Sequence, residues 1–563
     1  MLKLKEATKN QLNSLIEKYQ KKYKIKGLAI SIQEGEQPIY ETLIGLAGEN
    51  KPVDKTTQFM IGSTTKVFTA LAILQLKDQE KLTLDDAITT YLKPLNIHAY
   101  QEHGPITIRH LLMHTSGLPG DDLDLMFSEG KPQKDILNHL KNHHMTTEPG
   151  RMFAYSNIGY ALLGLMVEKV SQLSYKEYVE KHIFKPLGVN IQILETEALR
   201  KKHTKNLSVS YDKKGRIVTD PLSVFISAGS STYASLEDMQ KLASYFLNNN
   251  QPKLLKQATF DAMITPPQDP YIVKNEHRIG LGIRFNYARY NHADVGVVYG
   301  HGGNTFYHHS LFDILPKHKL AINILNNSKK GGQFNQKLIP KLIATILKDK
   351  GIDMPKSLDN PSQAIPKEKA QRLAMDMVML GQKMPLRLNK KQELTGKLSF
   401  LKFNVEQCED GLLKMIPQGI AKLKIFKKHL VNLRMLPKTI VEEDVMFFEV
   451  NRDYNRLLIA TASNYEHPKI PETWLKSLGK YTPMDHTHNV TKFVTGIKLI
   501  HKKNDLILTL KTPESSNAFY LLPLDDEKAI IQGYGRNSKE TITLSFKDNT
   551  PTLTIQGLLC HKV

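Results

Sequence analysis

Ile61-Gly62-Ser63-Thr64-Thr65-Lys66-Val67-Phe68-Thr69-Ala70 is the stretch on which the reading of the fold turns. Ser63 and Lys66 stand three apart, the spacing that sets two side chains on one helix face a single turn from each other. Val67 to Leu76 is mostly apolar, so this helix is expected to be buried and rigid. A serine at its start has an amine within reach to take its proton. The positive end of the helix dipole lies nearby to favour the alkoxide. Ser-x-x-Lys alone is a weak pattern, and it recurs at Ser128/Lys131, Ser210/Lys213, Ser399/Lys402 and Ser477/Lys480 with no buried helix following. Its weight at Ser63 comes from two later elements.

The first is Glu148-Pro149-Gly150-Arg151-Met152-Phe153-Ala154-Tyr155-Ser156-Asn157-Ile158-Gly159-Tyr160. A Pro-Gly turn leads into Tyr-Ser-Asn, and an apolar helix is predicted from about Ile158 to Val170. Tyr155 is then a phenol at a loop-to-helix junction. Asn157 is a short amide able to hold a substrate carbonyl or Lys66, or else an ordinary helix N-cap. The second is Val298-Tyr299-Gly300-His301-Gly302-Gly303-Asn304-Thr305, ahead of Ser310–Leu315 and Lys319–Leu325. Those two runs read as neighbouring strands joined by a Pro-Lys-His-Lys turn. Glycines beside a strand let a backbone or a ligand approach closely, and His301 lines that approach.

Ser63-x-x-Lys66, Tyr155-x-Asn157 and His301-Gly302-Gly303, in that order, resemble the three motifs of the penicillin-recognising serine hydrolases. The branch is that of class C β-lactamases, DD-carboxypeptidases, related esterases and D-aminopeptidases. Thr107-Ile108-Arg109-His110-Leu111-Leu112-Met113-His114-Thr115-Ser116-Gly117-Leu118-Pro119 is similar to a family signature, as are Lys81–Asp86 and Lys185–Val189. The likeness covers roughly residues 10 to 350. It implies Ser63 as the nucleophile of an acyl-enzyme, with Lys66 or Tyr155 taking its proton; which of them is the base stays open. It implies Tyr155 as the relay to the leaving group, and the backbone N–H groups of Ser63 and Asn304 as an oxyanion hole. Gly302 and Gly303 leave room for substrate against the strand. β-Lactamases of this fold usually carry lysine at the His301 position. A histidine is a weaker, pH-dependent cation, which points toward the carboxypeptidase, esterase and D-aminopeptidase members. Ser227-Ala228-Gly229-Ser230-Ser231 departs from relatives that carry a second glycine there. His110 and His114 are four apart, a metal-ligand spacing, but without a completing ligand set a structural role is the better reading. No metal and no cofactor are expected.

The chain has 563 residues, 40% hydrophobic and 24% charged, with a formal charge of +21. That is globular composition, sufficient for more than one core. The lysines are spread along the whole length without a basic run or a nucleic-acid-binding motif, so no dedicated nucleic-acid site is expected. Cys408 and Cys560 exclude a disulfide framework but leave one bridge open. Met1-Leu2-Lys3-Leu4-Lys5-Glu6 has no apolar core of signal-peptide length, and no run approaches the roughly 18–20 apolar residues of a membrane span. The default expectation is a cytoplasmic protein without a transmembrane segment, with export by a signal-independent route as the alternative. The expected partner is a small-molecule or short-peptide substrate, and a homo-oligomer is compatible with the sequence.

The domain reading is 1–351 for a β-lactamase-like serine hydrolase, 352–390 for a linker and a helix from Lys367 to about Leu380, and 391–465 and 466–563 for two small antiparallel β-barrel modules. The barrels are read from short β-rich runs such as Lys397–Phe403, Ala421–Phe426, Val445–Val450 and Thr552–Leu558. The fold class is α/β (α+β): an antiparallel sheet flanked by helices, an all-helical lobe holding Tyr155, and barrels behind. This layout resembles the D-aminopeptidases, in which a C-terminal loop reaches over the cleft to read the substrate's amine. Asp525-Asp526-Glu527 is the acidic candidate for such a loop, although a solvated turn is the better reading. The expected activity is cleavage of a D-amino-acid peptide amide or an ester through acyl-Ser63. The alternatives are a carboxylesterase, a DD-carboxypeptidase, a weak β-lactamase, acyl transfer to another acceptor, or a catalytically inactive partner-binding scaffold.

Overall fold

The helix predicted after Ser63 runs Thr65–Asp78, and every residue from Thr65 to Leu76 is buried. A helix apolar on all sides has to sit inside the protein, and the rest of the N-terminal unit is built around it. The computed structural model of the chain describes residues 4–127, 135–202, 206–224, 226, 228–267, 278–285, 294–353, 361–379, 382–398, 400–409, 411–423, 433–440, 443–452, 455–484, 488–513, 515–533 and 537–563. The Ser-x-x-Lys repeats at Ser128/Lys131 and at Ser399, the residue Ser227, and the predicted strand and helix ends at Phe426 and Leu380 lie outside these residues.

The first sheet has eight antiparallel strands in the order Lys51–Pro52, Gln37–Gly48, Gly27–Glu34, Leu320–Asn326, His309–Leu315, Tyr299–Asn304, Arg284–Phe285 and Arg278–Ile279. The two runs read as neighbouring strands pair from His309↔Asn326 to Leu315↔Leu320. Both strands are buried along their full length, because each face of the sheet is covered. Ile30, Ile32, Ile322 and Ile324 pack on one face with Leu12 and Ile16 of helix Glu6–Tyr23 and Leu338, Leu342 and Ile346 of helix Gly331–Asp349. Ala29, Phe312, Ile314 and Ala321 point the other way, into a core with Phe68 and Leu71 of the Ser63 helix and Leu242 and Phe246 of helix Leu236–Leu247. The period of two along each strand separates these cores. Helices Ile108–Leu112, Leu123–Phe127, Asn157–Ser171 and Tyr175–Val179 make up the helical lobe, in which Asn157–Ser171 and Tyr175–Val179 pack against helix Thr65–Asp78.

Two β modules follow. In the first, strands Asp376–Met379, Gln382–Leu388, Leu394–Leu398, Leu401–Cys408, Leu413–Pro417, Leu433–Ile440, Glu443–Arg452 and Asn455–Asn464 pair in turn. The last of them, Asn455–Asn464, also pairs with the first, Asp376–Met379, so these strands close into a ring. The ring takes two strands from the 352–390 stretch read as linker and helix. The helix there stops at Leu373, and Asp376–Met379 pairs instead with Gln382–Pro385 and Ala462–Asn464. Methionine is a good helix former, so Ala374-Met375-Asp376-Met377-Val378-Met379 reads locally as helix, and tertiary pairing overrides it. Residues Gly419–Lys422, which overlap the start of the predicted strand Ala421–Phe426, form a short 3₁₀ turn. The second module is a closed barrel of eight strands between Gly479 and Lys562.

The first ring has its own core around Met384, Leu386, Phe403 and Met415. The barrel's interior, with Ile497, Leu508, Leu521, Ile542 and Leu553, is continuous with the core of the N-terminal unit. The last module is therefore packed against that unit as one apolar body. Cys408 and Cys560 are buried free thiols in different modules. Among the described residues no helix is long and apolar enough to cross a membrane.

Trp474 seals the barrel. It is completely buried, and its indole Nε1–H donates to the Asp525 carbonyl at 2.9 Å. Trp474→Ala is expected to cost about 3–5 kcal/mol. Trp474→Phe, which keeps most of the volume and loses the hydrogen bond, is expected to cost about 1 kcal/mol more than the loss of ring atoms alone. Urea denaturation followed by far-UV circular dichroism checks both.

Candidate active site

Ser63 lies in the 3₁₀ turn Gly62–Thr64 that opens helix Thr65–Asp78. Glycine is required immediately before it. Gly62 has φ +52°, and a Cβ there would come within 2.9 Å of the Asn304 backbone nitrogen. Gly303 is held from the other side, where a Cβ would stand 1.8 Å from the Ile61 carbonyl oxygen. Strand Tyr299–Asn304 thus lies flush on the turn, with the main chain of Asn304 one residue from Ser63. The seam is pinned from behind. Ser310 Oγ donates to the Ile61 carbonyl at 2.7 Å and meets Thr64 Oγ1 at 2.8 Å.

Lys66 is completely buried. Its Nζ lies 3.4 Å from Ser63 Oγ, 2.7 Å from Asn157 Oδ1 and 2.9 Å from the Gly229 carbonyl oxygen. It also faces the rings of Tyr155 and Tyr160 at 5.1 and 5.2 Å. The amide of Asn157 is free for this contact because the N-cap of helix Asn157–Ser171 is Ser156, whose Oγ accepts from Gly159 N–H at 3.1 Å. Of the two readings of Asn157, the N-cap is thereby replaced by the Lys66 partner. Its other end donates from Nδ2 to Asp121 Oδ1 at 2.7 Å.

Tyr155 is stacked on His114 with ring centroids 4.1 Å apart. His114 lies past the end of its helix at φ +58°, and its Nδ1 accepts from Ser156 N–H at 3.0 Å. His110 Nδ1 accepts from Thr107 N–H at 3.2 Å in a capping box. The two histidines shape the loop that presents Tyr155 and Asn157, and their Nδ1 atoms are occupied by backbone.

His301 is buried, and its Nδ1–H donates to the Gly302 carbonyl at 2.8 Å. Burial first, then the nearby Arg284 and Lys66, push its pKa from 6.5 down to about 3. The expectation of a pH-dependent cation at this position is corrected: His301 is a neutral imidazole across the physiological range. The fixed positive charge beside it is Arg284, on the neighbouring strand, paired in register with Gly300.

One cleft of about 710 Å³ gathers Ser63, Tyr155, Asn157, His301, Gly302, Gly303 and Asn304 on its walls, with Ser230, Asp121 and Arg284. Lys66 lies beneath, reaching it through Ser63 and Asn157. The barrel supplies Phe493, Leu510, Thr512, Asn517, Phe519, Asn537 and Gln556. Asp525, Asp526 and Glu527 are not among these residues. They form an exposed turn in which Asp525 Oδ1 accepts the N–H groups of Glu527 and Lys528, which is the solvated-turn reading and not the loop over the cleft. Among the described residues, the barrel side of the cleft is neutral. Arg284 and the Asp121 contact to Asn157 were not legible in the sequence, since Arg284 sits in a two-residue strand and Asp121 in an acidic run indistinguishable from a solvated loop.

The mixed α/β core, its helical lobe and the cleft between them have the architecture of the β-lactamase and penicillin-binding-protein class. The profile of the Beta-lactamase family matches residues 12–344, and the chain belongs to that family. It is similar to Protein flp of Staphylococcus aureus (strain MW2), 26% identical over 357 residues, which is 61% of this chain and 66% of that protein. The chain thus matches just under two thirds of that relative's length. It is also similar to Penicillin-binding protein 4* of Bacillus subtilis (strain 168), 33% identical over 196 residues, which is 33% of this chain and 42% of the relative. Among solved structures, the octameric penicillin-binding protein homologue from Pyrococcus abyssi aligns over 98% of this chain and 99% of its own, with TM-score 0.52 and 19% identity. SurE with D-Leu aligns over 81% of this chain and 100% of its own, with TM-score 0.56 and 20% identity. The two structures share the fold.

Three buried histidines around the Ser63 seam set an acid limit. Burial, aided by neighbouring cations, lowers His301, His308 and His309 to about 3. All three are neutral in the fold and take up a proton when unfolded below about 6.5, so the unfolded chain binds more protons. Their contribution is full above about 6.5 and is lost as pH falls toward 3. His308 Nδ1 accepts from Met60 N–H at 3.2 Å, a role a glutamine oxygen can fill. His308→Gln is expected to flatten the fall of stability between pH 6 and pH 4 by about 1.4 kcal/mol per pH unit. Denaturation midpoints across that range check it.

Proposed function

We propose that the protein cleaves a D-amino-acid peptide amide or ester through an acyl-Ser63 intermediate. The observation that carries this reading is the three-way setting of Lys66 Nζ. To act as the base, Lys66 passes through its neutral form, which has two N–H bonds and one lone pair. Asn157 Oδ1 and the Gly229 carbonyl take the two hydrogens, and the lone pair is left for the Ser63 proton. The same site accepts the ammonium formed when that proton arrives, because the third N–H then points at the Ser63 oxygen. Attack by Ser63 on a carbonyl carbon places the oxyanion between its own N–H and that of Asn304. Tyr155, stacked against His114, is positioned to carry the proton on to the leaving group and to activate water for deacylation.

The walls of the cleft support this choice of substrate class. Phe153, Phe306, Phe493, Phe519, Leu123, Met126 and Leu510 offer an apolar surface to an acyl side chain, and the described residues on the barrel side offer no carboxylate to an ammonium. An aliphatic or aromatic D-residue suits this lining, and the solved neighbour crystallised with D-Leu supports the choice. A second reading, a DD-carboxypeptidase, is favoured by Arg284, whose guanidinium in the cleft suits a terminal carboxylate. The octameric neighbour makes a homo-oligomer the assembly to look for by light scattering.

A fluorophosphonate probe is expected to label Ser63 in the wild type and to leave Ser63→Ala unlabelled. Lys66→Ala is expected to lower kcat by about 10²–10⁴. D-leucyl and D-phenylalanyl amides and esters should be turned over ahead of their L-forms. Preference for acyl-D-Ala-D-Ala over these would select the carboxypeptidase reading. Turnover that survives Ser63→Ala would remove both.

A further inference from the structure

The C-terminal barrel reaches the Lys66 site through a continuous chain of hydrogen bonds. Lys66 Nζ donates to Asn157 Oδ1 at 2.7 Å, Asn157 Nδ2 donates to Asp121 Oδ1 at 2.7 Å, and Asn157 N–H donates to the Gly120 carbonyl at 2.7 Å. Gly120 N–H in turn donates to Glu540 Oε1 of the barrel at 3.0 Å. Gln556 Nε2 donates to the other Glu540 oxygen at 2.9 Å, and Leu123 N–H donates to the Gln556 carbonyl at 2.9 Å. The turn after Gln556 is seated flush on the same loop, since a Cβ on Gly557 would stand 2.4 Å from Asp122 Oδ2. Asp122 is itself fixed by His143 at 2.8 Å and His139 at 3.1 Å.

We infer that Glu540 is a positioning residue for the Lys66–Asn157 pair, so that the last module completes the reactive centre instead of only covering it. The inference rests on the proposed role of Lys66. Gly120 is gripped on both sides, its N–H by the barrel and its carbonyl by Asn157. The orientation of the Asn157 amide, oxygen to Lys66 and nitrogen to Asp121, depends on where this loop stands. Glu540 is buried. Burying a carboxyl at a domain interface is costly compared with an apolar side chain of the same size, and docking alone does not call for one. What it supplies is a directed acceptor for a single backbone N–H. Glu540 is not on the cleft wall, so it acts through Asn157.

The test uses the full chain and three variants. Glu540→Gln keeps an oxygen for Gly120 N–H. Glu540→Asp withdraws it by one methylene while keeping the charge. Glu540→Ala removes it. Glu540→Asp and Glu540→Ala are expected to slow acylation of Ser63 by a fluorophosphonate and to lower kcat on a D-leucyl ester about 10–100-fold, the scale of a small misplacement. KM should stay within about 2-fold, and Glu540→Gln should restore both rates to within about 3-fold. The loss should vanish when Glu540→Asp is combined with Asn157→Ala, because the path runs through Asn157. A raised KM with unchanged kcat, a loss that persists in the Asn157→Ala background, or a failure of Glu540→Gln to rescue would overturn the inference. The ¹³Cε resonance of Lys66, assigned with Lys66→Arg, needs no turnover. It should shift in Glu540→Asp and stay in place in Glu540→Gln, and an unmoved signal in both overturns the positioning role. Unlabelled Ser63 in the wild type, with that signal moving as expected, removes the proposed reaction alone.

Discussion

A lysine ammonium with no access to water must find its partners inside the protein, and the fold is arranged around supplying them to Lys66. Its own helix, apolar on every side, offers none. Asn157 Oδ1 and the Gly229 carbonyl come from segments 91 and 163 residues away in sequence. Their convergence brings the helical lobe and the loop before Thr232 against the Ser63 helix. Removing such a partner leaves an unpaired charge in a low-dielectric interior, which costs far more than a lost surface contact. The lobe, the sheet and the cleft between them are held in register by that requirement.

The second constraint is steric. The seam between the Ser63 turn and strand Tyr299–Asn304 is closed so tightly that side chains at Gly62 and Gly303 would overlap main-chain atoms. Close approach of two backbones is what places two N–H groups on one developing oxyanion, and glycine is the residue that permits it. The conformational entropy that glycine loses on folding is offset by what surrounds the seam: Ser310 and Thr64 at its back, and a strand buried along its whole length. Loose glycines in an exposed loop would not hold this geometry.

Legibility in the sequence followed the range of the interaction. Ser63 and Lys66 could be read because one helical turn joins them. Tyr155, Asn157 and His301 could be read because each belongs to a short local pattern. Of the two readings left open for Asn157, the N-cap role falls to Ser156, one residue earlier. Serine and asparagine are both favoured caps, and only the tertiary contact of Asn157 with Lys66 separates them. Ala374–Met379 was read as helix on local propensity and is partly strand, because pairing with Ala462–Asn464 across some 80 residues decides it. Arg284, Asp121 and Glu540 carry no local signature, since their roles exist only once distant segments have met. The acidic turn at Asp525 drew notice for its charge, whereas the barrel's contribution to the cleft is apolar and amide.

The charge at the far wall of the cleft has moved from one kind of group to another. Where a lysine would stand in many relatives by the resemblance, this chain has His301, kept neutral by burial and by Arg284 and Lys66. Two cations already face that position, and a third would raise the cost of each. The fixed positive charge on this wall of the cleft is Arg284, a guanidinium that stays charged at every physiological pH. His301 is left to donate from Nδ1 to the Gly302 carbonyl, which fixes its ring and turns Nε2 away from that bond. A carboxylate entering this cleft meets a forked donor on the strand beyond His301, offset from where a lysine would present a point charge.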